Sequence, residues 1–148
     1  MESLTNDPNK LSRLIALGCV NAIGAIALLI TPGLLSAMVT ELGFSNQHAG
    51  YVISAELWGW ALAALPAVSW VRRVHWHRTL YASLTVLIIV NLFSAALSSP
   101  VPLAAIRFIG GFTGGSILAI STAAIYLTTR PDRSFAIFFA VQLLIASI

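Results

Sequence analysis

Apolar runs of membrane-crossing length dominate this chain. They cover residues 14–38, 49–71, 79–98 and 101–128, and a fifth begins at residue 134 and is still apolar at Ile148. A hydrocarbon layer about 30 Å thick is crossed by about 20 apolar residues in a helix. Lipid offers no partner to a backbone N–H or C=O, so such runs must close their hydrogen bonds within helices. The composition agrees: of 148 residues, 58% are hydrophobic and 9% charged, against about 45–50% and about 25% in soluble domains. Too few charges remain to cover a water-soluble globule. Disorder is excluded as well, because so much apolar surface seeks burial. The fold expected is an all-α polytopic membrane protein, with a cytoplasmic tail over residues 1–13 and a transmembrane bundle over residues 14–148. The 15 residues of the fifth run would reach about 22 Å, short of a crossing. A five-helix partial bundle is therefore expected, a fragment cut inside a span.

The distribution of basic residues sets the orientation. Lys10 and Arg13 lie in the tail, Arg72, Arg73 and Arg78 follow the second run, and Arg130 and Arg133 follow the fourth. The links after the first and third runs contain no lysine or arginine. This alternation places the N-terminus in the cytoplasm, in a cell membrane of the bacterial inner type. The first run spans 25 residues, too long for the apolar core of a signal peptide, which holds about 7–15. The orientation predicts that cysteines placed at Ser45 and Ser99 react with an impermeant maleimide in intact cells, whereas one at Thr129 does not. Labelling at Thr129 in sealed cells would reverse it.

Enzyme and metal motifs are missing from the sequence. There is no His-Glu-x-x-His, no Cys-x-x-Cys and no phosphate loop, since the sole lysine is Lys10. Gly114-Gly115-Ser116 begins like a nucleophile elbow, but Leu118 stands where the second glycine is needed. His75 and His77 lack a third ligand in their link and read as solvated loop histidines. Cys19 lies in an apolar run and reads as a small buried hydrophobe. No catalytic residue, metal site or cofactor is expected. The net charge of +3 does not imply nucleic acid, because the basic residues are divided among separate links. The partner expected from composition is the lipid bilayer.

Polar and small residues inside the runs carry the remaining information. Helices in lipid associate through close packing of small residues, and the fourth run holds Gly110, Gly111, Gly114 and Gly115, two overlapping small-xxx-small pairs. At about 100° per residue, Arg107, Gly111 and Gly114 share a stripe with Ser121 nearby. Glu56 shares one with Ala49, Gly59, Ala63 and Ala67, and Gly18, Asn21 and Ala25 form a weaker one, with Pro32-Gly33 able to kink the outer end of that run. Ionisable residues at depth are costly and face partners or water-filled cavities. Glu56 lies seven residues in from Ala49 and Arg107 six in from Val101. At 1.5 Å per residue the two are about 10 and 9 Å below the outer boundary. Matched depth and inward faces make Glu56 and Arg107 a candidate ion pair for proton coupling; the plainer alternative is that both reach outer water or headgroups.

The run Arg107-Phe-Ile-Gly110-Gly111-Phe-Thr-Gly114-Gly115 resembles the fourth-span motif of the major facilitator superfamily, an arginine followed by glycines. Pro131-Asp132-Arg133 with Ala136 is similar to the opening of that family's fifth span. The resemblance implies a secondary transporter of twelve spans in two halves, of which this chain would be the N-terminal one, joined to a missing C-terminal half. It implies that the first and fourth spans line a cavity between the halves, which makes Asn21, Arg107 and Ser121 candidate substrate contacts, with Gln142 a weaker one. It also implies a cytoplasmic gate link at Arg72, Arg73 and Arg78. There the sequence departs from the family signature, because Arg72 falls at the position of its aspartate and His75 at that of its glycine. For Asn21 and Gln142 a helix–helix hydrogen bond is the favoured alternative. The function expected is proton-coupled movement of a small solute by alternating access; a non-transporting membrane scaffold is the alternative.

Overall fold

The computed structural model describes residues 11–65, 67–70, 75–126 and 131–146. Among these residues every regular element is a helix: α1 (Leu11–Leu29), α2 (Thr31–Thr40), α3 (Asn46–Ala64), α4 (Ala67–Trp70), α5 (Trp76–Ala95), α6 (Pro100–Tyr126) and α7 (Pro131–Ala146). The first apolar run, expected as one span over residues 14–38, is divided. Ile30 leaves helical geometry at φ −92° and ψ 3°, and Pro32 sits at the start of α2, where its missing N–H costs nothing. The second run is divided too. α3 stops at Ala64, and Pro66 in the sequence has no N–H with which to continue the ladder.

Local chemistry fixes the turn between α2 and α3. Gly43 takes φ +67°, a left-handed conformation that glycine adopts without a Cβ clash, and the Phe44 N–H reaches the Met38 carbonyl at 3.1 Å. Ser45 then caps α3, its Oγ accepting from the His48 N–H at 3.2 Å. Within the helices, polar side chains bond to carbonyls one turn back: Thr85 to Tyr81, Asn91 to Leu87, Thr113 to Ile109 and Ser116 to Phe112, at 2.7–3.0 Å. This is how short polar groups are satisfied without water.

α6 lies at the centre. It packs most extensively on α3, then on α5 and α1, and α1 packs in turn on α7. Three apolar clusters hold the assembly. Met38, Phe44, Ala49, Val52 and Leu103 join α2, α3 and α6 at one end. Leu17, Ala124, Ile125 and Phe138 join α1, α6 and α7 at the other, and Leu80, Leu87 and Ile117 seat α5 on α6. α5 leaves Tyr81, Ile88, Leu92 and Phe93 exposed, an apolar surface suited to lipid rather than water. Among the described residues two helices, Trp76–Ala95 and Pro100–Ile125, are long and apolar enough to cross a membrane, and Leu14–Ala25 and Ser134–Ile145 are shorter apolar segments.

Candidate functional site

The tight crossing of α3 on α6 brings two charges together. On α3, Ala49, Val52, Glu56, Gly59 and Ala63 are buried, a spacing of three to four residues that keeps one stripe against the neighbour. Two glycines let the backbones meet. A Cβ on Gly111 would fall on the Glu56 carbonyl oxygen, and one on Gly59 would fall on the Phe108 carbonyl and within 2.6 Å of the Phe112 nitrogen. With Gly111 seated on the Glu56 backbone, Arg107, one turn earlier on α6, is carried to the same level. Its Nη1 lies 3.6 Å from Glu56 Oε1, with the two side chains 12% and 6% exposed.

The contact is loose. An N⁺–H···O⁻ hydrogen bond is about 2.7–2.9 Å long, so this pair attracts electrostatically without closing a bond. Arg107 Nε is enclosed and has no partner among the described residues. Toward the N-terminal ends of the two helices, α3 presents Val52 and Ala49, and α6 presents Leu103, all in an apolar plug completed by Met38 and Phe44. A helical side chain leans toward the N-terminus of its helix, so both charged groups lean toward this plug.

The four glycines of α6 do not serve one face. Gly111 and Gly115 both meet α3, the latter with Ala63 Cβ at 2.9 Å and the Trp60 carbonyl at 3.0 Å from an added Cβ. A Cβ on Gly114 would instead lie 2.7 Å from the Gly24 carbonyl on α1 and 3.1 Å from Trp60 Nε1, and one on Gly110 would lie 3.0 Å from Val90 Cγ1 on α5. The sequence pattern suggested two equivalent pairs. A step of four residues turns a helix by about 40°, and on a helix with neighbours on several sides that is enough to change partner.

Asn21 and Gln142 find each other: Asn21 Nδ2 donates to Gln142 Oε1 at 2.7 Å, tying α1 to α7. Ser121 and Asn21 are fully buried, and Ser121 Oγ and Asn21 Oδ1 have no partner among the described residues. Ser121 shares the stripe of Arg107 but is fourteen residues further along α6, about 21 Å away. One small solute cannot touch both, so the expected grouping of Arg107 with Ser121 separates into two regions. Arg78 is exposed near the start of α5, and Arg72 and Arg73 lie outside the described residues. The plug residues Met38, Phe44 and Leu103 and the Trp60 indole against Gly114 were missed by sequence reasoning. Val52 and Leu103, one turn before each charge, were the available signal.

With this geometry in hand, comparison with known proteins gives a consistent answer. The family model described as an uncharacterised MFS-type transporter, YbfB, matches residues 19–142. That stretch contains Asn21, Glu56, Arg107, Ser121 and Gln142, along with all four glycines of α6. No curated protein and no solved structure matches significantly. The family match covers most of the chain, and the protein belongs to the MFS-type transporters, integral membrane proteins of the major facilitator superfamily.

Proposed function

We propose that this chain is the N-terminal, five-span portion of a secondary transporter that moves a small solute by alternating access and couples it to protons through Glu56 and Arg107. The observation that carries the proposal is the pair itself: two opposite charges at the closest crossing of the bundle, 3.6 Å apart. A scaffold has no need of charges at such depth, where each is costly. A loose pair is also a separable one. In one conformation the guanidinium holds Glu56 as a carboxylate. When rocking or substrate withdraws Arg107, the stranded charge stands in a medium of low dielectric, where it gains by taking a proton. Release of that proton on the other side restores the pair, and the cycle ties solute movement to proton movement. Asn21 with Gln142 serves helix association, holding α7 against α1.

Replacing Glu56 by Gln in the full-length protein tests the proposal. Gln keeps the shape but cannot titrate, so gradient-driven accumulation should fall to background while exchange at equilibrium persists. Accumulation at the wild-type level would remove Glu56 from the coupling step.

A further inference from the structure

Resting on that reading of the pair, we infer that Arg107 is an anion site and that the solute is a monovalent oxyanion, a small carboxylate, entering with the proton that Glu56 takes up. Three observations lead there. Arg107 is held by its carboxylate through a single long contact of 3.6 Å, and its Nε is enclosed without a partner. A guanidinium has five N–H donors in a fixed fork that matches a carboxylate with two parallel bonds, so most of its capacity is unused. Charge balance supplies the rest. Once Glu56 is protonated, the arginine is left as an uncompensated cation at depth, a state as unfavourable as the stranded carboxylate. Among the described residues no second carboxylate stands by to relieve it: α2 carries no ionisable residue, α6 carries only Arg107 and the distant Tyr126, α3 adds His48 and Tyr51 near its start, and α1 and α5, which also pack on α6, carry Arg13 and Cys19, and His77, Arg78 and Tyr81.

An anion bound at Arg107 restores neutrality. One proton on Glu56 and one negative charge on Arg107 leave the net charge of the site unchanged, so the step transfers a neutral acid in two parts. A phosphate dianion would leave a residual charge at depth, which selects a monovalent group. The apolar cluster of Met38, Phe44, Ala49, Val52 and Leu103 offers no competing polar group, so Arg107 meets this anion through the part of its side chain that remains 12% exposed.

The test uses trifluoroacetate, a carboxylate that stays ionised from acid to neutral pH, observed by ¹⁹F NMR line broadening with the full-length protein in phosphatidylcholine nanodiscs. At neutral pH, Glu56→Gln should bind the probe at least about tenfold more tightly than wild type, and the double variant Glu56→Gln/Arg107→Gln should lose that gain. Equal binding by the single and double variants would overturn the site. Should Glu56→Gln fail to fold, wild type carries the test: broadening should grow on acidification, and Arg107→Gln should abolish the growth. Repeating the measurement in phosphatidylglycerol separates the two sources of an oxyanion. Unchanged probe binding supports a solute site, whereas its disappearance assigns Arg107 to lipid headgroups and overturns the solute reading. The outcomes are separable from the coupling proposal, because probe binding with intact accumulation in Glu56→Gln removes the coupling and leaves the anion site standing.

Discussion

Gly111→Ala is expected to destabilise the protein by about 3 kcal/mol, the upper end of what overpacking usually costs, and to abolish transport. The added methyl would lie on the Glu56 carbonyl oxygen and within 3.1 Å of the Glu56 Cα. Backbone cannot swing aside as a side chain can, so α3 and α6 must separate. Separation at this level also parts Glu56, whose own backbone makes the contact, from Arg107, one turn earlier on α6. The control is Gly110→Ala on the same helix. There the added methyl meets only Val90 Cγ1, at 3.0 Å, a side-chain atom able to shift by a few tenths of an ångström. Alanine is also the better helix former by about 1 kcal/mol, so Gly110→Ala should be nearly neutral. Equilibrium unfolding in detergent, followed by far-ultraviolet circular dichroism, reads both. Equal losses for the two variants would show that the α3–α6 crossing is not the tight one.

The contrast between these neighbouring glycines shows where the sequence was informative and where it was not. The helices are legible because lipid forces backbone hydrogen bonds to close locally, so length and apolarity are enough. The meeting of Glu56 and Arg107 is legible because both depth and face follow from counting residues. Which glycine faces which helix is not, because periodicity gives angles about an axis and says nothing of how many neighbours surround it. The break at Ile30 had its signal in Pro32-Gly33, and the end of α3 had one in Pro66. The plug escaped notice because Met38, Phe44 and Leu103 are ordinary apolar residues on three different segments, brought together by the turn at Gly43 and by the packing of α6 on α3. The separation of Ser121 from Arg107 was available from rise per residue alone, since a shared stripe on a long helix does not make a shared site.

Arg107→Gln carries the second large effect. Removing one partner of a buried pair typically costs about 3–5 kcal/mol, because the other charge is left uncompensated, and Arg107 is the only charge that faces Glu56 among the described residues. The lower end, about 3 kcal/mol, is expected here because the contact is long and the pair is not closed by hydrogen bonds. Adding Glu56→Gln to that variant should recover much of the loss, since two neutral amides carry no stranded charge. Losses that simply add would show that the two residues do not interact energetically.

The same variant gives the most direct measurement of the central claim, that Glu56 exchanges its arginine for a proton. Dicyclohexylcarbodiimide partitions into the apolar phase and modifies a carboxyl group only when it is protonated. At neutral pH, in membranes containing the full-length protein, peptide mass spectrometry should find Glu56 almost unmodified in wild type, where Arg107 Nη1 lies 3.6 Å from its carboxylate. In Arg107→Gln it should be modified nearly to completion, and no adduct should form in the Glu56→Gln/Arg107→Gln double variant. Equal modification of Glu56 with and without Arg107 would contradict the account, because the arginine would then not be what keeps the proton off.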